Sequence, residues 1–536
     1  MINNRVSKWL ILCLVSAFML SACTGNGGNT GGDTGAKATK ESGGAGATGK
    51  ASEGDPYAAL PRAVSISMFD RGQVSSDEGT YEENRWVDWI REQSGIDVSI
   101  VPVPRNQAQD TLNIMFASKQ APDLVWDFDR NYIGRLVSQG VIQPIGDYIE
   151  QYSTAYKAYL EQNPDLLPYL TFDGEIYAMA AKRPVSAIAN HGIWIRQDWL
   201  EELNLEMPET KEELIEVAEA FKASYPGVTP IVGYTMPDVY AAMHGAINYL
   251  WYLDDAGQMR YGATTDRFAA AIELERELYD RGLVDLEYLT DSNNQRAHQL
   301  WATGKAGIFI SQWGSGTVDS LNRDLLTNVP EADPVAMYAV ASEFGRYGYF
   351  QESPPHFYIA FNKAMKNPKA AVEYMDWLIE DGWFTLMHGL ENEHYKLVDG
   401  VPQVIDPNLR TKEVAYAAEY AVLRNDTFQP EHLLIQAAQD ELSQDIARRS
   451  ADSLEKAMAY EFRRDIPYQP NFDEINEIRA SLDTFIDEVR ARTVMNSSGS
   501  SGQQALAEIR AEWERLGGAE AERIAQEWYE ANKDQF

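Results

Sequence analysis

The chain has 536 residues, 44% of them hydrophobic, 13 tryptophans and a formal net charge of −35. A chain of this length can bury a large core and is expected to form two or three domains. The negative charge opposes binding to nucleic acid and direct adsorption on anionic lipid, which excludes both classes of partner. The two cysteines, Cys13 and Cys23, lie at the N-terminus, so we expect no disulfide in the folded part.

The first residues have the order of a bacterial lipoprotein signal peptide, predicted over residues 1–22. Arg5 and Lys8 precede the apolar run from Trp9 to Leu20, which has the length of a signal-peptide core and is too short to span a bilayer. The run ends in LSAC, which matches a lipobox and predicts lipid modification of Cys23. Residues 23–56 are rich in Gly, Ser and Thr and cannot bury enough apolar surface to fold, so they are interpreted as a flexible tether.

Strand and helix patterns alternate from Ala63 onward. In the first region, strands are predicted at 64–69, 97–104 and 123–128, with helices at 82–95, 107–119 and 132–140. This order predicts a parallel sheet covered by helices. A second α/β region is predicted from about residue 190, with strands at 193–195 and within 304–314. A further strand follows at 356–363, and the C-terminal part is predicted to be mostly helical.

The carboxyl ends of the first three strands are candidate binding loops, because ligands of open α/β sheets bind beyond those ends. The loops are Asp70-Arg71-Gly72, Arg105-Asn106 and the stretch from Trp126 to Tyr132.

Several longer segments together carry a family resemblance. They are VSISMFDRG, FASKQAPDLVW, TFDGEIYAMA, GIWIRQDWLEELNLEMPET, LWATGKAGIFISQW, YIAFNKAMKNPKAAVEYMDWLI and GLENEHY, in this order behind the lipobox. On these segments the chain resembles the family 1 extracellular solute-binding proteins of ABC transporters, specifically the large lipoprotein branch of oligosaccharide and polysaccharide uptake.

The resemblance implies an α/β fold of the two-lobed, type II periplasmic-binding-protein kind, with hinge-crossing segments near residues 182 and 350 and a helical C-terminal section. Lobe 1 would comprise 57–182 plus about 355–400, and lobe 2 would comprise 183–354 plus about 401–536. Such a protein is a monomer that carries no chemistry. It encloses an oligosaccharide between the lobes and delivers it to the permease subunits of an importer. The lipid on Cys23 would hold it at the extracytoplasmic face of the cell membrane.

Candidate ligand-binding residues follow from sugar chemistry, because sugars offer C–H faces to aromatic rings and hydroxyl edges to planar polar groups. The candidates, chosen mainly at predicted strand ends, are Asp70, Arg71, Trp126, Asp129, Arg130, Tyr132, Lys182, Arg183, Asn190, His191, Trp194, Gln312, Trp313, His356, Glu391 and Tyr395.

Several candidates have an alternative structural interpretation. Those alternatives are Trp126 as a core residue, Asp70 and Arg71 as an internal ion pair, Lys182 and Arg183 as a solvated pair, His191 as a partner of a buried carbonyl, and Glu391 and Tyr395 as structural residues. Trp313 is expected in a flexible loop, because SQWGSG follows a buried strand.

No metal, cofactor or catalytic residue is predicted. The acidic run from Asp127 to Asn131 begins like a calcium loop, but Tyr132 stands where that loop needs Gly and Ser138 where it needs Glu. Zinc spacing, a nucleophile elbow and a Walker loop do not occur. Two competing functions remain open: a surface carbohydrate-active enzyme using paired carboxylates, and a sensory or adhesive solute-binding lipoprotein without a transport role.

Overall fold

The computed structural model describes residues 55–233, 236–291, 293–314, 316–495 and 499–536. The predicted signal peptide, Cys23 and nearly all of the predicted tether lie outside the described residues. By its internal contacts the chain divides into a segment that ends at Ala58 and a unit from Ala59 to Phe536. The fold described below is that of the second unit.

The strands in chain order are β1 (Ala63–Asp70), β2 (Asp97–Pro104), β3 (Leu124–Asp127), β4 (Ile142–Gln143), β5 (Thr171–Phe172), β6 (Glu175–Ile176), β7 (Ala178–Met179), β8 (Gly192–Arg196), β9 (Thr229–Gly233), β10 (Trp251–Leu253), β11 (Met259–Tyr261), β12 (Ala306–Ser311), β13 (Pro334–Met337), β14 (Tyr358–Asn362), β15 (Tyr395–Val398) and β16 (Val401–Val404).

The α-helices in chain order are α1 (Arg85–Ser94), α2 (Ala108–Ala117), α3 (Arg130–Ser138), α4 (Gly146–Tyr152), α5 (Ala155–Gln162), α6 (Leu167–Leu170), α7 (Val185–Ile188), α8 (Gln197–Leu203), α9 (Lys211–Ser224), α10 (Met236–Met243), α11 (Asp266–Asp280), α12 (Gln295–Ala302), α13 (Gly316–Asn328), α14 (Pro368–Trp377), α15 (Trp383–His388), α16 (Pro407–Glu413), α17 (His432–Gln436), α18 (Glu441–Met458), α19 (Asp473–Val494), α20 (Gly502–Arg515) and α21 (Gly518–Asn532).

The first sheet has the order β2-β1-β3-β14-β4, and β7 also pairs with β14. β1 runs parallel to β2 and β3, as the β-α-β pattern predicted, whereas β14 runs antiparallel to β3. Four consecutive residues of β1, Ser67 among them, are buried because helices cover both faces of the sheet. The antiparallel β14 therefore begins at the edge where β1 and β3 end.

The second sheet has the order β13-β8-β12-β9. Every residue of β8 and of β12 is buried, which matches the apolar runs in the sequence. β12 is parallel to β9 and antiparallel to β8, so the end of β12 lies beside the start of β8.

Each sheet has its own hydrophobic core. The first core takes buried residues from 64–181 and 358–423 together with Tyr468, and the second takes them from 189–349 and 454–525. A smaller buried cluster that includes Trp194, Trp301 and Phe309 also packs on the second sheet. The stretch that begins at residue 401, expected in lobe 2, departs from that expectation: Val414 to Leu423 pack in the first core. Tyr420 holds this stretch there, because its hydroxyl donates to Tyr81 O at 2.9 Å.

Among the described residues, three chain segments connect the two cores before residue 430, and the chain returns briefly to the first core at Tyr468. The first two pair with each other: Lys182 lies opposite Pro355, and Ala189 lies opposite Gln351, in short antiparallel bridges. The Arg183 N–H donates to Pro354 O at 2.8 Å. The third segment leaves the first core after Leu423, and by Phe428 the chain packs against the second core.

The C-terminal section is helical, as predicted, and packs mainly on the second core. α19 and α20 pack against α11. Ser501 begins α20 with a capping box, in which Ser501 and Gln504 satisfy each other's backbone N–H. Among the described residues, none of the helices combines the length and apolarity needed to cross a membrane.

Candidate functional site

An aromatic cluster lies at the edge of the first sheet where β1 and β3 end and β14 begins. The ring centroid of Phe128 lies 5.8 Å from that of Phe69 and 4.9 Å from that of Phe357. The Arg105 guanidinium lies over this cluster, 4.9 Å from the Phe69 ring centroid and 5.0 Å from that of Phe128. The predicted loops after β2 and β3 thus meet in space, and their aromatic and cationic groups form one surface.

A cavity of about 200 Å³ lies between this edge and the second core, next to the connecting segments. Its lining combines aromatic rings with planar polar side chains and comes from both sides: Phe128, Asp129, Arg130, Asn131, Tyr169 and Tyr358 from the first side, and Leu250, Phe350, Glu352, Ser353, Arg464, Pro467, Tyr468 and Gln469 from the connecting and second-side segments. This is the surface chemistry that a sugar requires.

Arg130, at the start of α3, joins the two sides of this cavity. Its guanidinium donates to Tyr169 O at 2.9 Å and to Thr171 O at 2.7 Å. It also lies between two rings, 4.1 Å from the Phe172 centroid and 3.5 Å from the Tyr468 centroid. Burial lowers the pKa of Arg130, but a guanidinium stays charged at neutral pH. Arg130 also borders a larger open groove of about 550 Å³ that extends to Trp528.

Two further arginines hold the connecting segments together. Arg183 Nε donates to Ser353 O and Pro355 O, each at 3.1 Å. Arg464 donates to Gln351 O at 2.6 Å. These bonds satisfy backbone carbonyls that the crossing segments leave outside a sheet.

Arg424 lies at the start of the third connecting segment and faces His356. Arg424 Nη2 lies 3.0 Å from His356 Nδ1, and Nη1 lies 3.1 Å from Met387 Sδ. Arg424 Nε is buried without a hydrogen-bond partner. Burial, and then the charges of Arg424 and Arg183, lower the pKa of His356 to about 2. His356 is therefore neutral, and because a guanidinium only donates, its Nδ1 is the acceptor.

Four of the candidate residues are buried and pack against protein groups in this structure, and their contact with a ligand stays a prediction. Trp126 is 1% exposed and donates from Nε1 to Ser67 O at 2.8 Å, so its alternative interpretation as a core residue is correct. Trp194 is fully buried and donates to Gln312 O at 3.1 Å. Tyr132 is buried beneath α2 and donates to Asn113 Oδ1 at 3.2 Å.

Trp313 is the fourth. It is 7% exposed and packs in the second core, not in an exposed loop. Its backbone lies directly against Gly192, where an added Cβ would come within 2.7 Å of Trp313 Cα. The start of β8 at Gly192 and the segment at Trp313 therefore pack closely, and the Trp313 ring is buried in the second core. The sequence pattern does not reveal this long-range contact.

Asp70 and Arg71 lie at the end of β1 but are directed to different partners. Asp70 accepts from the Gly72 N–H at 2.8 Å, which closes a local turn. Arg71 forms an ion pair with Glu419 at 2.8 Å. The alternative of an ion pair between the two residues is therefore wrong, because the stretch after α16 supplies the carboxylate.

Near the connecting segments, the structure brings several candidates close to the cavity. Asn190 donates to Glu352 Oε1 at 3.3 Å, and the His191 ring lies 6.2 Å from the Phe350 ring. His191 Nδ1 is buried without a partner, and burial lowers the pKa of this imidazole to about 4. The interpretation of His191 as a partner of a buried carbonyl is thus not supported. Lys182 forms an ion pair with Asp165 at 2.8 Å.

The remaining four candidates are Asp129, Gln312, Glu391 and Tyr395, and of these Asp129 lines the cavity. Asp129 caps α3 by accepting from the Asn131 N–H at 2.9 Å, and it lines the cavity. Gln312 is half-buried beside Trp194. Glu391 is exposed, whereas Tyr395 is buried against Phe384 with the ring centroids 5.8 Å apart. Neither Glu391 nor Tyr395 lines the cavity.

Sequence reasoning missed Arg424, Arg464 and Tyr468, which come from the C-terminal part of the chain. Nothing in their local pattern indicates a binding role, because the third connecting segment and the return of the chain near Tyr468 are long-range features. Phe128 lies inside a loop that the strand-end rule did select.

A separate cluster of Glu393, His394 and Glu413 has ligand atoms within 4.8 Å of one another. The Glu413 carboxylate already pairs with Arg85 at 2.7 Å. His394 Nδ1 accepts from the Leu390 N–H at 3.0 Å, which leaves the proton on Nε2, 3.3 Å from Glu413. These contacts account for the cluster as a structural network under α1.

Comparison with known proteins decides the family. The family model described as bacterial extracellular solute-binding protein matches residues 79–383, more than half of the chain. The chain belongs to this family. Its matched region covers every strand of the first sheet except β1, all of the second sheet and the paired connecting segments, and the resemblance drawn from the sequence is confirmed.

Two curated relatives carry ligand names. The chain is 25% identical over 331 residues to the polygalacturonan/rhamnogalacturonan-binding protein YtcQ of Bacillus subtilis, a match that covers 58% of this chain and 64% of that protein. It is 27% identical over 237 residues to the fructooligosaccharide ABC transporter substrate-binding protein FusA of Streptococcus pneumoniae, covering 39% of this chain and 43% of FusA. The matched part is thus less than two thirds of either relative.

Among solved structures, the chain is similar to an HMO-binding, ABC-transporter-associated solute-binding protein of Bifidobacterium longum infantis. The TM-score is 0.65 at 16% identity, over 88% of this chain and 99% of that one. At this identity the likeness concerns the fold. The predicted two-lobed solute-binding fold is confirmed.

Proposed function

We propose that this protein captures an oligosaccharide between its two cores and delivers it to the permease of an ABC importer. The observation that carries the proposal is the cavity of about 200 Å³, whose aromatic rings and planar polar groups come from both sides of the connecting segments. A ligand bound there touches both cores at once, which is the condition for hinge closure around it.

The relatives support the sugar class. YtcQ is named for polygalacturonan and rhamnogalacturonan, and FusA for fructooligosaccharides and for its ABC transporter. Both names describe carbohydrates of more than one unit. The aromatic cluster around Phe128, with Arg105 over it, offers a surface that extends past the cavity and accommodates further sugar units.

We also propose that the lipobox anchors the protein by a lipid on Cys23 at the extracytoplasmic face of the cell membrane, with the rest of residues 23–56 as a tether. Such a tether of about thirty residues has a reach of roughly 30 Å, which leaves the two cores free to meet a permease in the same membrane. The protein acts as a monomer and not as an enzyme in this proposal.

A thermal-shift screen of the full chain against oligosaccharides tests the binding function. A sugar at 100 times its Kd adds about 2.7 kcal/mol to the free energy of unfolding, so a bound sugar raises the melting temperature measurably. Asn131→Ala in the cavity wall should reduce the shift, whereas Gln258→Ala in the exposed turn between β10 and β11 should leave it unchanged. A peptide pool that stabilises the chain when no sugar does would refute the sugar proposal.

Two further measurements separate the competing functions. Products released from a bound oligosaccharide by the intact protein would indicate a carbohydrate-active enzyme. Unchanged uptake of every binding sugar after deletion of the gene would indicate a sensory or adhesive role.

A further inference from the structure

Four arginines surround the cavity and the connecting segments. Arg130 and Arg464 line the cavity, Arg183 bridges the paired crossings, and Arg424 begins the third crossing. Their charges act on one another: Arg464 lowers the pKa of Arg183, and Arg183 lowers that of Arg424. In a chain with a net charge of −35, this is a local concentration of positive charge.

The partners of these guanidinium groups are mostly neutral. Arg130 and Arg464 bond to backbone carbonyls, and Arg424 contacts His356 and the Met387 sulfur. Among the described residues, the one carboxylate within 4.0 Å of any of the four is that of Glu352, which lies 3.9 Å from Arg183. In the described part of the chain, Arg130, Arg424 and Arg464 therefore form no ion pair within 4.0 Å, although Asp426 and Glu419 lie near enough to raise the pKa of Arg424.

Arg424 is the clearest case. Its Nε is buried and has no hydrogen-bond acceptor, and its nearest titratable neighbour, His356, is neutral. A buried N–H of a cation that lacks an acceptor is destabilising, so the unpartnered Nε favours a ligand group that accepts from it. The two carboxylates that raise the pKa of Arg424 are also engaged elsewhere: Asp426 accepts from the Phe428 N–H at 3.1 Å, and Glu419 pairs with Arg71.

An anionic ligand would supply the missing partner. A carboxylate is planar, accepts two parallel hydrogen bonds from a guanidinium, and is a stronger acceptor than a hydroxyl. The rings of Phe128 and Phe357 lie beside the arginines and can pack against the C–H faces of a sugar. The carboxylate of that sugar then remains free to pair with a guanidinium.

We propose that the ligand is an acidic oligosaccharide, a uronic-acid oligomer whose carboxylate pairs with Arg424 and whose neighbouring units lie against the aromatic cluster at Phe128. This inference rests on the proposed function and specifies its substrate class. Neutral oligosaccharides are then poor ligands, because they leave the buried cations unpaired.

Matched acidic and neutral probes test the inference directly. Calorimetric titration of the full chain with trigalacturonate and with trimannuronate is compared with titration by their fully methyl-esterified forms, which keep the sugar rings and remove the charge. At least one acid should bind tenfold or more tightly than its ester, and its affinity should fall as salt rises from low to high concentration. The ester's affinity should not change with salt.

The failures are distinguishable. If kestose, maltotriose or the esters bind as well as the acids or better, the acidic inference is overturned and the sugar-binding function stands. If none of these sugars binds, the proposed function fails, and the inference fails with it.

Variants at Arg424 locate the effect. Arg424→Gln should weaken binding of the acid at least tenfold and leave ester binding within about twofold, and Arg424→Lys should keep part of the preference. Arg515→Gln, an exposed arginine at the end of α20, is the matched control and should change neither. Equal loss of acid and ester binding in Arg424→Gln would assign Arg424 a structural role instead. The salt dependence of the unaltered chain decides the charge question if that variant does not fold.

Discussion

Arg130 and Tyr468 form a contact that joins the first core to the C-terminal section, and its strength can be measured. The guanidinium lies 3.5 Å from the ring centroid of Tyr468, and the tyrosine is only 9% exposed. A desolvated cation over an aromatic face at this distance contributes about 2 kcal/mol, compared with about 0.5–1 kcal/mol at an exposed site. Replacing Arg130 alone costs more, about 3 kcal/mol, because Tyr169 O and Thr171 O also lose their charged donor.

A double-mutant cycle isolates the cation–ring term. Arg130→Met, Tyr468→Leu and the double variant are compared by urea denaturation, and the coupling energy is the deviation of the double variant from the sum of the singles. We expect a coupling of about 1–2 kcal/mol. The control cycle pairs Arg130→Met with Tyr529→Leu, whose ring contacts Phe536, and should be additive within about 0.5 kcal/mol. A coupling below about 0.3 kcal/mol for Arg130 and Tyr468 would refute the assigned contact.

Three further predictions concern stability. Asp376→Ala should cost about 2–4 kcal/mol in denaturant unfolding, because this carboxylate accepts from Ser153 Oγ at 2.6 Å and from the N–H groups of Thr154, Ala155 and Tyr156 at 2.6–3.1 Å. Gly192→Ala should lower the melting temperature, because the added Cβ would lie 2.7 Å from Trp313 Cα. His191→Gln should be less sensitive to acid than the unaltered chain, since the folded-state pKa of His191 is about 4 and an unfolded histidine has a pKa near 6.5.

The direction of the His191 effect follows from proton binding. Between pH 6.5 and about 4 the unfolded chain binds a proton at this residue and the folded chain does not, so stability is complete above pH 6.5 and falls as the pH decreases. The free-energy difference between the unaltered chain and His191→Gln should therefore shrink over this range. A difference that is constant with pH would contradict the assigned pKa. For Asp376, a loss equal to that of a conservative change at an exposed acid would contradict the capping role. For Gly192, an unchanged melting temperature of Gly192→Ala would contradict the close approach of Gly192 to Trp313.

Strands of both sheets could be predicted locally. The β-prone run VSISMF predicts β1 to within a residue at each end, and the apolar run AGIFIS predicts β12 inside the expected range 304–314, because buried strands are short runs of apolar residues. The loop rule selected the stretch that contains Phe128, Asp129 and Arg130, all of which line the cavity.

The tryptophans show where local reasoning failed. Trp126 lies within β3 and Trp313 follows β12, and the sequence left a ligand-stacking role open for the first and favoured one for the second, but the packing of each ring is decided by what covers the strand end. Phe69, Phe128 and Phe357 surround Trp126, and Gly192 allows a second segment to close over Trp313. Those neighbours are distant in the chain.

The sequence by itself determined the family, the α/β class, the expected lipobox cysteine and the strand ends at which one wall of the cavity forms, because each is encoded in local composition or in short repeats. Only the tertiary structure decided that Arg464 and Tyr468 line the cavity, that Arg424 lies against His356, and that residues 414–423 pack in the first core. The physical reason is that the counter-charge of a buried arginine, and the partner of a buried ring, are set by long-range packing and not by the residues beside them.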